Sequence, residues 1–218
     1  MDWEKGEGLL CTGRFIFHCF LLILLQPSAL CCYLQCLVTG ASSGIGNGAC
    51  RVLTQQGAIV VGSGRNEESL KALKESGVIM DFVVADITQD GECERLVTKA
   101  VEMLGGLTTV VNAAGVLFGG AMDTIDLANY QKNMTCNTQA PFEIMIHAIP
   151  HLKMQKDASP SIVNVSSVTG KQAFANCVTY CMSKAALDQL TRCASGTYIL
   201  RRTNPLHLGI RCYLTINL

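Results

Sequence analysis

The apolar run Leu34–Val38 breaks into Thr39-Gly40-Ala41-Ser42-Ser43-Gly44-Ile45-Gly46, and a helical pattern follows at once. This junction restricts the fold more than any other feature of the chain. Glycines let the backbone turn sharply and let a pyrophosphate approach the N–H groups that open the helix. Gly46 also allows the helix to pack close to the strand. A glycine-rich turn alone is often an ordinary tight connection, but between a strand and a helix it has the context that phosphate binding requires. The candidate contacts here are Gly40, Ser42, Ser43, Gly44, Ile45 and Gly46.

The same alternation continues downstream. Leu34–Thr39, Ala58–Gly62, Val78–Ala85, Thr108–Asn112 and Ser161–Val165 read as strands. Gly44–Gln56, Asn66–Ser76, Gln89–Leu104, Leu127–Met154 and Thr179–Ala194 read as helices. Strands separated by helices predict an α/β fold, a three-layer doubly wound parallel sheet. A length of 218 residues suits one such domain. The expected organisation is an N-terminal extension over 1–32, the sheet domain over 33–195 and an atypical tail over 196–218.

Seventeen basic and 17 acidic residues cancel, so no global field draws the chain to nucleic acid or anionic lipid. No nucleic-acid partner is expected. The 12 cysteines lack the spacing of a metal site, and no metal is expected. Their scatter fits a reducing compartment, where buried cysteine acts as a small hydrophobe. The run Phe15–Leu25, broken only by His18, falls short of the ~20 residues a spanning helix needs. Extending it to Tyr33 gives a marginal span. A cytoplasmic location is therefore expected, with a membrane anchor through this run as the alternative.

At the end of the second strand, an acidic residue about 20 positions past the glycines would hold the ribose hydroxyl of NAD. The chain instead has Gly62-Ser63-Gly64-Arg65-Asn66, with no carboxylate before Glu67. Arg65, with Asn66 beside it, either pairs with a 2′-phosphate or is a solvated loop residue. NADP(H) is favoured, and NAD(H) is the alternative.

At this point the blocks resemble the short-chain dehydrogenase/reductase family. The loop at 39–46 is similar to that family's TGxxxGxG turn. Asp86, followed by Ile87, closes the third strand where the family holds the adenine. Asn112-Ala113-Ala114-Gly115 resembles its NNAG block, and Ser167 with Tyr180-Cys181-Met182-Ser183-Lys184 resembles its serine and YxxxK. The stretch Ser161–Ala194 looks most like reductases of the 3-oxoacyl-carrier-protein type. The resemblance covers about residues 34–194 and implies a Rossmann-type sheet, a dinucleotide cofactor and a small carbonyl or alcohol substrate. A homo-oligomer follows by family analogy.

The resemblance also implies the chemistry. Tyr180 would act as acid and base, and Lys184, four residues on, shares its helix face. The Lys184 ammonium would lower the phenol pKa from about 10 and hold the nicotinamide ribose. Ser167 would donate to the substrate oxygen; Ser166 competes for that role, and the 13-residue spacing to Tyr180 favours Ser167. Asn137 would kink its helix around a relay water, or else is a plain polar helix residue. Val116–Ala121 and Thr169–Val178, with Phe118, Gln172 and Phe174, would shape substrate choice, unless the two phenylalanines are ordinary core or interface residues.

Past Lys184 the pattern fades. Gly209-Ile210-Arg211 is only faintly similar to the start of a sixth strand, and Gly196–Leu218 otherwise lacks family character. The sheet is expected to lack its last strand or strands, as a truncated product would. Two functions follow: an NADP(H)-dependent reductase of a carbonyl, or a catalytically impaired dinucleotide-binding fragment.

Overall fold

A computed structural model describes residues 34–155, 160–199 and 211–215. The apolar run at 15–33 and the proposed N-terminal extension lie outside the described residues. Among those described, no helix is long and apolar enough to cross a membrane.

The strands are β1 (Gln35–Thr39), β2 (Ile59–Gly64), β3 (Asp81–Val84), β4 (Thr109–Asn112), β5 (Ser161–Val165) and β6 (Arg211–Thr215). They form one sheet in the order β3-β2-β1-β4-β5-β6, and every neighbouring pair is parallel. The helices are α1 (Gly44–Gln55), α2 (Glu67–Glu75), α3 (Glu92–Leu104), α4 (Leu127–Met134), α5 (Ala140–Lys153) and α6 (Val178–Ile199).

Successive strand residues point to opposite faces, so a parallel sheet covered on both sides needs apolar residues at every position. Cys36, Val38, Val60, Val111 and Val163 pack against Ala49, Leu53, Leu70 and Leu73 of α1 and α2. Leu37, Val61, Val110 and Ile162 pack on the other face against Leu96, Val97, Ile144 and Ala148 of α3 and α5. Helix edges follow local chemistry: the Asn66 side chain accepts from Ser69 N at 2.9 Å to open α2, and left-handed Gly105 closes α3.

The sheet includes a sixth strand: Arg211–Thr215 pairs in parallel with Ser161–Val165. Helix α6 runs past residue 195 to Ile199. The stretch expected as one helix over 127–154 is helical throughout but contains a π turn at Thr135–Gln139. Such wide turns place one extra residue in the helix and are frequent at functional sites.

Candidate active site

The strand order reverses between β1 and β4, and ligands in such sheets bind outside the carboxyl ends of the strands at that point. A cleft of about 600 Å³ lies there. Its floor is the turn between β1 and α1, with Gly40, Ser42 and Ser43. One wall is Ser63, Gly64 and Arg65 from the end of β2, joined by Asp86, Ile87 and Thr88 beyond β3. The other comprises Ala114, Gly115 and Phe118 beyond β4, with Lys132 and Cys136 from α4 and the π turn.

The turn takes its shape from two missing side chains. Gly40 has φ +67°, and a Cβ there would lie 2.8 Å from the backbone N of Ala114. A Cβ on Gly46 would collide with the Gly40 carbonyl oxygen, so the opening of α1 sits directly beneath the turn. No side chain caps α1 and no acidic residue occupies its first turn. Its N–H groups and the positive end of its dipole are therefore open to an anion.

Arg65 is exposed at the cleft rim. Asp86 accepts from Thr88 N at 3.1 Å and Thr88 Oγ1 at 2.7 Å, and these bonds hold its carboxyl below the usual range. Ser63, only 1% exposed, lines the cleft with a hydroxyl that has no partner. Sequence reasoning passed over Ser63, although it stands inside the Gly62–Asn66 stretch already singled out.

Tyr180, Lys184 and Ser167 come together behind this cleft. Lys184 is 4% exposed, donates to the Val165 carbonyl at 2.9 Å and lies 5.8 Å from the centre of the Tyr180 ring. Burial pulls its pKa down to about 8. A Cβ on Gly115 would meet Asn137 Oδ1 at 3.2 Å and Lys184 Nζ at 3.5 Å, so both groups reach the inner end of the cleft. The sequence predicts a lowered Tyr180 pKa; the structure shows the opposite. Burial raises it, with Cys177 and Cys181 adding to the rise and a hydrogen bond with Ser167 opposing it. The ammonium is turned to the strand end and the phenol is desolvated, so desolvation wins.

Ser166 and Ser167 diverge, as neighbours at a strand end do. Ser167 accepts from Thr169 N at 3.2 Å and lies close enough to Tyr180 to hold the phenol's pKa down against burial. Ser166 points into α6 and donates to Asp188. Asn137 is fully buried in the π turn. Its amide holds both the N and O of Val116 at 2.8 Å and donates to Ser183 at 3.0 Å. Asn133, one turn earlier and missed from sequence, grips Phe118 N and O and donates to Thr179. Together the two amides pin the wall after β4 to the helix. Two asparagines four apart on one helix face were the available signal.

Several expected contacts do other work. Asn66 caps α2, and the Asn112 amide donates to Asn164 Oδ1 at 2.9 Å within the sheet. Gly44 (φ +54°), Ile45, Gly46 and Ala113 support the turn without lining the cleft. Phe118 lines the cleft under Lys132, whose ammonium lies 5.0 Å from its ring centre. Phe174 and Gln172 are exposed. The two segments expected to shape substrate choice do meet: Gly120 N donates to Asn176 O at 2.7 Å, and Gly120 bridges Cys177.

Residues 35–202 match the family model for short chain dehydrogenases. An uncharacterised oxidoreductase of Thermotoga maritima is 33% identical over 167 residues, which cover 75% of this chain and 65% of that protein. The 2,5-dichloro-2,5-cyclohexadiene-1,4-diol dehydrogenase LinX of Sphingobium indicum is 31% identical over 179 residues, covering 79% and 71%. A solved short-chain dehydrogenase from Streptomyces avermitilis superposes with a TM-score of 0.72 at 25% identity, covering 83% and 63%. The chain thus spans just under two thirds of the Thermotoga and Streptomyces proteins. With the model matched over most of its length, and with this sheet order and cleft, the chain belongs to the short-chain dehydrogenase family.

Proposed function

We propose that the chain is an NADP(H)-dependent oxidoreductase that reduces a small carbonyl compound, or oxidises the matching alcohol, with Tyr180 as acid and base. The observation that carries this is the grouping of Tyr180 with Lys184 and Ser167, with Lys184 Nζ reaching to 3.5 Å from where a Cβ on the cleft residue Gly115 would lie, beside a cleft floored by an uncapped helix N-terminus.

A nicotinamide dinucleotide suits the cleft on three counts. The backbone at Gly40 and Gly46 admits no side chain, so a pyrophosphate meets bare N–H groups. Ser63 offers an unpartnered buried hydroxyl and Arg65 a cation at the end of β2, where a 2′-phosphate would lie. A carboxylate side chain at Gly64 would crowd Ser42 Oγ, which is 3.0 Å from the position of a Cβ there. That wall lacks the acidic residue expected of an NAD site. When bound, the cofactor supplies or accepts the hydride.

Ser167 then donates to the substrate oxygen, and Tyr180 gives that oxygen its proton. A phenol held above its ordinary pKa is fully protonated at neutrality, which suits the reducing direction. Lys184 as an ammonium stabilises the tyrosinate left behind. The Sphingobium relative is a dehydrogenase of a cyclic diol. A compact cyclic or acyl-type carbonyl is the substrate class we assign to this chain.

The test is NADPH consumption by the purified chain across a panel of cyclic ketones, sugars and 3-oxoacyl thioesters. Tyr180→Phe should lower turnover by about 10²-fold or more, while NADPH binding changes little. Unaltered turnover in that variant would defeat the assignment. NADPH binding with no consumption across the panel would favour the impaired binder instead.

A further inference from the structure

The segment after β4 is tied down at every second residue. Val116 is held through both its N–H and its carbonyl by Asn137, and Phe118 likewise by Asn133. Gly120 completes the series by donating its N–H to the Asn176 carbonyl at 2.7 Å. Thr179, beside Tyr180, accepts from Asn133 at 2.8 Å and donates to the Phe118 carbonyl at 3.4 Å. Because β4 and β5 are neighbours in the sheet, segments that leave their ends and meet at Gly120 and Asn176 close the backbone into a ring. Ser167 lies on that ring, and Tyr180 follows the closure by four residues.

The closure depends on the backbone at both sides. A Cβ on Gly119 would lie 2.8 Å from the Asn176 carbonyl oxygen, so a side chain there would force the two segments apart. Asn176 has φ +59° and is the one left-handed non-glycine residue among those described. Asparagine tolerates that conformation at a cost, and a β-branched residue does not. Such strain persists where the surroundings over-determine it, and it gathers at ligand clamps. Connecting segments are ordinarily the mobile part of a fold. This one is bonded as a strand is, with side-chain amides standing in for a neighbouring strand.

We propose that the closed ring is a size-selecting wall on the substrate side of the site. It leaves room for a compact carbonyl compound at Ser167 and Tyr180 and turns away one whose body extends through the Gly120–Asn176 closure. Of the substrates considered above, it favours a small cyclic carbonyl over a long acyl chain. This rests on the function proposed for Tyr180 and Ser167. The wall stands before any ligand arrives, because its bonds are all made within the chain. Opening the closure should therefore widen what reaches Tyr180 and leave the phenol itself in place.

The experiment reads access to the half-buried Tyr180 without turnover. N-acetylimidazole and its biphenyl-4-carbonyl analogue both acylate a phenol, and mass spectrometry of the Tyr180 peptide gives the two rates. Their small-to-large ratio, divided by that for a free tyrosine amide, measures exclusion by size. In the parent it should be about tenfold or more, the scale on which a pocket rejects added bulk. Gly119→Ala and Asn176→Val challenge the closure from opposite sides, so one serves should the other not fold. Each should cost the Gly120 amide its protection from hydrogen exchange, read by NMR, and bring the ratio toward that of free tyrosine. Asn176→Gly, which adopts the left-handed conformation without strain, should keep the protection. The proposal is overturned by a parent that excludes neither reagent or admits not even the small one. Protection retained in both challenging variants, or a parent-like ratio once protection is lost, overturns it equally. The labelling needs neither substrate nor dinucleotide. Failure to consume NADPH would therefore defeat the proposed function and leave the wall standing.

Discussion

Burying the Lys184 ammonium strips it of water and leaves the Val165 carbonyl, 2.9 Å away, as its hydrogen-bond acceptor, so its pKa falls to about 8. An unfolded lysine titrates near 10.4. Below pH 8 the folded state therefore carries the full cost of the buried charge, and the cost fades as pH rises from about 8 toward 10.4. Lys184→Met should be more stable than the parent at pH 7, by roughly 1 kcal/mol once the orphaned Val165 carbonyl is counted. The gain should be gone by about pH 9 and reversed by about pH 10.5, as urea unfolding across this range would show. The same variant should be inactive, the usual exchange of stability for function. Arg65 tests the cofactor at this scale. Exposed at the rim and matched to a 2′-phosphate, its loss in Arg65→Ala should weaken NADPH binding by about tenfold and leave NADH nearly unaffected, as fluorescence titration would measure.

Two elements hold the cleft in shape, and each can be challenged. At the β1–α1 turn, Gly40 and the exposed turn residue Gly77 have similar φ values, +67° and +72°. Only Gly40 has a neighbour within reach of a Cβ. Alanine at Gly77 should cost about 1 kcal/mol of backbone strain, whereas alanine at Gly40 should cost distinctly more and abolish dinucleotide binding. Equal losses in thermal melts of the two variants would contradict the close approach to Ala114. In the π turn and α4, Asn137 and Asn133 satisfy the backbone of Val116 and Phe118. Asn133→Ala leaves the half-buried Phe118 N–H unpaired and its carbonyl with only the 3.4 Å bond from Thr179, which costs about 1 kcal/mol in all. It should raise KM for both cofactor and substrate more than it lowers kcat, because the wall loosens while Tyr180 stays in place.

For the whole molecule, the cleft draws its lining from segments as distant as residues 39 and 136, so a ligand that fills it ties both halves of the sheet together. NADPH at 100 times its Kd should add about 2.7 kcal/mol to the unfolding free energy, a rise of several degrees in Tm. NADH at the same concentration should add less. No Tm change with either dinucleotide would argue against the cleft as their site.

Much of this was readable in the primary structure. The alternation of apolar runs and helical stretches made the doubly wound sheet the expected fold, because strands covered on both faces must be apolar at every position, as Cys36–Val38 and Val110–Val111 are. The glycine turn, Asp86 and the Tyr180–Lys184 pair were legible because backbone freedom and helical spacing are local properties. Burial, which is not local, decided the rest. It raised Tyr180 where a neighbouring ammonium was expected to lower it, and it turned Asn112 toward Asn164. It set Ser63 unpartnered in the cleft wall and turned the Ser166 hydroxyl onto the buried Asp188 carboxyl group. Desolvation depends on what other segments pack around a group, and that becomes known only when strands distant in the chain lie side by side.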